Sequence, residues 1–161
     1  MKKTATLFAL FALILISVSA HTGGVVRAAQ GCKAPSIEIS DSTVATPISF
    51  NGKWTLVNFW TSSDPVSRIA AGNYDDLARD IRSNSEFQLL SINVDRSEAL
   101  YNAVIAADGL SEGTQIHLNP EDAARVAGEY YLDRGCNSYL IDPSGKIRAV
   151  NPTTDAVLAM L

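Results

Sequence analysis

The chain has 161 residues, 47% of them hydrophobic and 19% charged, with a formal net charge of −4. That is enough apolar material for one well-buried domain and too little length for two. No cluster of Lys and Arg occurs, so the electrostatic footprint of a nucleic-acid binder or of a protein held on an anionic membrane is missing.

Taken in chain order, Lys2 and Lys3 precede an apolar run from Leu7 to Val18 that closes on Val18-Ser19-Ala20. The run is shorter than the roughly 20 residues needed to cross a bilayer, and the small residues at 18 and 20 fit cleavage after Ala20. Residues 1–20 are therefore expected to be a secretory signal, with retention as an uncleaved anchor the alternative. A lipoprotein signal would place its cysteine directly after the apolar run, whereas Cys32 lies further on. Residues 21–30 show no periodicity and are expected to form a short flexible lead. A single domain is expected over 31–161.

Ile37 and Ile39 alternate with Ser36, Glu38 and Ser40, which predicts a half-buried strand with a partner at 46–50. Asn51-Gly52 turns into an apolar and aromatic run at 53–60 that predicts a strand covered on both faces. Asp64-Pro65 then predicts a helix from Pro65 to about Ser83, with the Asp64 carboxylate as N-cap and Pro65 at the first helical position. Val66, Ile69, Ala70, Tyr74, Leu77, Ala78 and Ile81 recur at spacings of three and four, as a face packed on a sheet requires. Gly72-Asn73 marks a weak point in that helix. A buried strand is expected at 87–94, a helix from Ser97-Glu98 to about Ala107 capped by Gly109, and a short strand at 115–118. A further helix is expected from Pro120 to about Tyr131, then a hairpin of strands 138–142 and 146–150 around Pro143-Ser144-Gly145, and a closing helix at 153–161. Strands alternating with helices predict an α/β domain whose mixed central sheet is covered on both faces, with an N-terminal β-hairpin extension.

Three stretches carry a resemblance. Asn58-Phe59-Trp60 with Arg68 is similar to the redox-motif region of thioredoxin-like proteins, specifically the TlpA-like branch of periplasmic thiol-disulfide oxidoreductases, where Cys-x-x-Cys-Arg opens the first helix. Gly31-Cys32-Lys33-Ala34-Pro35 resembles the opening of TlpA-like and peroxiredoxin-like domains, and Tyr139 to Ile147 resembles the last hairpin of the same family. The resemblance covers about residues 31 to 161 and implies a thioredoxin-like fold. It also exposes a departure: the two cysteine positions hold Asp64 and Ser67, so the motif reads Asp64-Pro65-Val66-Ser67 and no dithiol can form there. The family's cis-proline before the last hairpin falls at Cys136, followed by Asn137. A cis bond before a residue other than proline costs roughly 2.5 to 4 kcal/mol, so a trans bond is expected before Cys136.

Cys136 can be read as a lone reactive thiol, as half of a disulfide with Cys32, or as a small apolar residue that fits its place. A carboxylate at Asp64 across from it would raise the thiol pKa and suppress the nucleophile. Asp64 itself is explained as a helix cap. Ser67 has no histidine at a useful spacing to activate it, and neither His21 nor His117 belongs to a metal-ligand spacing. Trp54, Trp60, Tyr130, Tyr131 and Tyr139 are expected to serve the core. No cofactor and no metal is expected. What the resemblance implies is an exported, periplasmic or envelope-associated domain without its catalytic dithiol, a binding module for a protein or peptide partner. Trp60, Asp64, Arg68, Cys136 and Asn137 would surround the binding groove, with no nucleic acid and no membrane insertion of the mature domain. The alternative is thiol-disulfide oxidoreductase or peroxiredoxin-like activity through Cys136, with Cys32 as its resolving partner.

Overall fold

A computed structural model describes residues 27–41, 44–50 and 52–161; the expected signal at 1–20 and residues 21–26 of the lead lie outside the described residues. The chain forms a five-stranded mixed sheet with strand order β5-β4-β3-β6-β7. Its strands are β3 (Trp54–Trp60), β4 (Phe87–Asn93), β5 (Gln115–His117), β6 (Ser138–Ile141) and β7 (Ile147–Val150). β3 is parallel to β4 and antiparallel to β6, and β4 is parallel to β5. A separate antiparallel hairpin, β1 (Glu38–Asp41) and β2 (Val44–Pro47), precedes the sheet. Helices α1 (Pro65–Asp80), α2 (Glu98–Asp108), α3 (Pro120–Glu129) and α4 (Thr154–Leu158) complete the domain. Among the described residues no helix is long and apolar enough to cross a membrane.

Period-two alternation divides the central strand between the two sheet faces. Val57 and Phe59 join Ile92, Tyr139, Tyr130 and Ile37 in one apolar cluster. Leu56 packs on the opposite face with Tyr74, Leu77, Leu89 and Val157, while Trp60 packs there in a third cluster with Ala71, Val104, Ile105 and Leu110. The hairpin is tied down through α3, where the Asp122 carboxylate accepts from Ser40 N at 2.8 Å and Ser40 Oγ at 3.1 Å.

The helix signals act as read. Asp64 Oδ1 accepts from Val66 N at 3.1 Å, Ser97 Oγ from Leu100 N, and Asn119 Oδ1 from Glu121 N and Asp122 N. Gly109 ends α2 with φ +66°, a conformation that only glycine adopts without strain. α1 runs unbroken through Gly72-Asn73 because the packing of Tyr74 and Leu77 outweighs one glycine's propensity cost.

Several expectations change, among them the closing helix, which covers Thr154–Leu158 rather than 153–161. β2 covers 44–47 rather than 46–50: Pro47 has no N–H to carry the ladder on, and Phe50 turns into the core instead. Residues 28–30 are not a loose lead. Ala28 is buried and donates its N–H to Glu129 O, and Gln30 Nε2 reaches Arg148 O. α1 stops at Asp80, short of Ser83. Most tellingly, Val66 and Ile69 do not face the sheet; they are 77% and 64% exposed.

Candidate functional site: the start of α1 and the loop before β6

β3 and β6 are neighbours, so the chain leaving β3 at Trp60 and the chain entering β6 at Ser138 meet at one end of the sheet. The first carries the Asp64 cap and the first turn of α1, the second carries Cys136 and Asn137. Phe59 N donates to Asn137 O at 3.1 Å, and Asn137 Oδ1 accepts from Asn151 Nδ2, which pins the loop to the strand end. The described residues contain no cis peptide bond, so the bond before Cys136 is trans.

Ser67 is buried in the first turn of α1. Its hydroxyl donates to Asp64 O at 3.1 Å, accepts from Thr61 N at 3.3 Å, and lies within hydrogen-bonding reach of the Cys136 thiol. Burial pushes that thiol above the usual thiol range, and the carboxylates of Asp64 and Asp95 push the same way. The Ser67 hydrogen bond opposes them and loses. Asp64 therefore acts as expected on the sulfur, but desolvation is the larger cause. A thiol raised in this way ionises less readily than a free one, which weakens it as a nucleophile.

The pairing of Cys136 with Cys32 is corrected by the topology. Cys32 O accepts from Ile147 N and Lys33 bridges to Lys146, which places Cys32 at the far end of β7. Cys136 precedes β6 at the opposite end, a separation of roughly 16 Å for five residues of strand. A disulfide needs Cα atoms within about 7 Å, and both cysteines are free. Cys32 cannot resolve chemistry at Cys136 within one molecule.

Two further site residues have structural duties. Trp60 is fully buried, so it supports the site from below and offers a partner no surface. Arg68 is held by Asp108, both carboxylate oxygens accepting from its guanidinium; this hydrogen-bonded pairing raises the Arg68 pKa and lowers that of Asp108.

Sequence reasoning missed a polar network beside the site. Ser62 donates to Asp95 through N at 2.9 Å and Oγ at 2.5 Å, and Asn93 Nδ2 donates to the same oxygen. His117 Nδ1 pairs with Asn93 Oδ1 at 3.0 Å, and its ring stacks on Tyr101. Burial alone would raise the Asp95 pKa, but the hydrogen bonds from Ser62 and Asn93, helped by His117, hold it below the usual carboxylate range. The clue was register. Asn93 and His117 align with Trp60 across the sheet only once β4 and β5 are paired. Tyr131 also departs from its core assignment: it is half-exposed, with φ +56° and the guanidinium groups of Arg27 and Arg134 near its ring. Among the described residues no group of three or more His, Cys, Asp or Glu side chains is arranged to hold a metal ion.

No protein-family model and no curated protein matches the chain. Solved structures do. A thioredoxin-like protein from Parabacteroides distasonis is 23% identical with a TM-score of 0.71, over 83% of this chain and 95% of that one. The thioredoxin domain of a thiol-disulfide oxidoreductase from Bacteroides vulgatus is 26% identical with a TM-score of 0.68, over the same shares. A thiol:disulfide interchange protein from Bacteroides sp. is 26% identical with a TM-score of 0.67, over 82% and 87%. The fold of this chain is thus thioredoxin-like, like that of these structures.

Proposed function

We propose that the chain is an exported, TlpA-like domain that binds a protein or peptide partner in the groove between the Asp64 helix start and the Cys136 loop, without exchanging disulfides. The observation that carries this reading is the chemistry at the start of α1. Where the resemblance places two thiols, Asp64 is engaged as a cap and Ser67 is buried in hydrogen bonds. The one sulfur that remains nearby has its pKa raised by burial and by the carboxylates of Asp64 and Asp95, which disfavours the thiolate. A dithiol cycle needs two sulfurs within bonding reach and a thiolate to attack. What stays is a strand end tied by Phe59 N to Asn137 O and a half-exposed loop at Cys136 and Asn137, beside which an extended segment could lie.

The test is recovery of partners from a native envelope fraction with wild type, Cys136→Ser and Cys136→Phe. The serine variant removes the thiol and keeps the groove; the phenylalanine variant fills it. Partners retained by wild type and Cys136→Ser and lost from Cys136→Phe, with far-UV circular dichroism unchanged, support the binding module. Identical recovery by all three overturns it, and partners held through reducible adducts only to wild type favour the thiol-enzyme reading instead.

A further inference from the structure

Cys136 stands where the resemblance places a proline, so no ring fixes the backbone at this point of the loop. The structure supplies a different holder. Asn151, the residue that follows β7, has φ +50°, a left-handed conformation that residues other than glycine rarely adopt and that asparagine tolerates better than most. Tyr131 is the other non-glycine residue with positive φ among the described residues, and it lies in the connection from α3 to β6 that carries Cys136. Both departures thus surround one loop, and backbone held away from its preferred regions persists only where the surrounding contacts require it.

The contacts of Asn151 run to consecutive residues of that loop. Its Oδ1 accepts from Ser138 N at 2.8 Å, and its Nδ2 donates to Asn137 Oδ1 at 2.9 Å. Ser138 settles the orientation of the amide, because a backbone N–H can only donate. Asn151 N donates in turn to Ser138 O at 2.8 Å. With Asn137 Oδ1 taken, Asn137 Nδ2 is the atom within hydrogen-bonding reach of the Tyr139 hydroxyl, so both polar atoms of that side chain are spent on holding the loop. Tyr74 of α1 closes the arrangement. Its hydroxyl donates to Pro152 O at 2.6 Å, next to Asn151, and its oxygen is left to accept from Ser138 Oγ at 2.7 Å.

We propose that Asn151 is the positioning residue of the candidate groove: its left-handed backbone and its amide together fix Asn137 and Ser138, and through them Cys136, against the end of β3. What the loop is held for rests on the binding reading given above; the holding itself is a property of the free chain.

The test begins with Asn151→Gly, since glycine takes φ +50° freely and the substitution removes only the side chain. If Asn151 merely turns the chain, this variant behaves as wild type. If it positions the loop, Ser138 N–H should exchange roughly three- to tenfold faster, the Asn137 side-chain amide resonances should move, and iodoacetamide should alkylate Cys136 several-fold faster, with far-UV circular dichroism unchanged. Asn151→Asp supplies a second reading. Ionised, its carboxylate still accepts from Ser138 N but has no proton to donate to Asn137 Oδ1; protonated, it offers the acceptor and the donor of the amide it replaces. The Asn137 and Ser138 shifts of Asn151→Asp should therefore approach those of wild type as pH falls through the carboxylate range, from about 5 to about 3. Wild-type behaviour of Asn151→Gly, or shifts of Asn151→Asp that approach wild type at no pH, overturns the proposal. Recovery of envelope partners is read apart from these measurements. A loosened loop with unchanged partner recovery removes the groove reading and leaves the positioning role, whereas a loop unaltered in both variants removes the positioning role alone.

Discussion

The two faces of the sheet are built on different terms. On the face toward α3 and the N-terminal hairpin, Phe59, Tyr130 and Tyr139 pack with ring centroids 4.9 to 6.3 Å apart inside one apolar cluster. Both tyrosine hydroxyls are satisfied, Tyr130 donating to Pro35 O and Tyr139 to Tyr130 O, each at 2.6 Å. On the face toward α1, register places Ser138, Asn58, Ser91 and Gln115 in one row across β6, β3, β4 and β5. That row separates the Leu56 cluster from the Trp60 cluster, and Asn58 Nδ2, Ser91 Oγ, Gln115 Oε1 and Trp60 Nε1 find no hydrogen-bond partner among the described residues. Buried polar atoms without partners cost stability. The polar row makes the α1 face the less optimised of the two, while the site spans both, since Cys136 packs against the aromatic cluster of the other face.

The comparison can be broken most forcefully at Phe59. Phe59→Ala should cost about 3 to 5 kcal/mol in denaturant unfolding, the usual range for emptying a packed aromatic site; a loss below about 1 kcal/mol would deny that this face carries the stability. Tyr130→Phe should cost about 1 to 3 kcal/mol, because Pro35 O is left buried without its donor. The same face should also be sensitive to acid. Burial would raise the Asp122 pKa, but hydrogen bonds from Ser40, Arg125 and Asn119 hold it below the usual carboxylate range. The unfolded chain therefore takes up the proton first. The stabilisation is complete above about pH 4 and declines as pH falls through the lower folded value. Asp122→Asn should flatten that part of the stability curve, and an unchanged curve would remove the hairpin anchor from the account. Across the sheet, Asn58→Leu replaces an unpartnered amide with a near-isosteric apolar group, so stability should rise or change by less than about 1 kcal/mol. A loss above about 2 kcal/mol would mean that the polar row is satisfied after all.

The same contrast explains what could be read before the structure. Local chemistry was legible: the Asp64, Ser97 and Asn119 caps act within three residues, and the strand that ends at Trp60 is marked by composition alone. Non-local placement was not. Spacing put Val66 and Ile69 among the inward positions, but the path of α1 over the sheet turns them to solvent. The pairing of Cys32 with Cys136 failed for the same reason, since only the β6–β7 hairpin shows that they lie at opposite ends. The network of Ser62, Asp95, Asn93 and His117 depends on three segments converging, and no single stretch announces it.

The central claim is that the scaffold is kept while disulfide exchange is not, and reduction of insulin by dithiothreitol tests it most directly. Wild type and Cys136→Ser should leave the rate at background, whereas Asp64→Cys with Ser67→Cys, which returns two thiols to the first turn of α1, should accelerate it. Acceleration by wild type that Cys136→Ser abolishes would contradict the account.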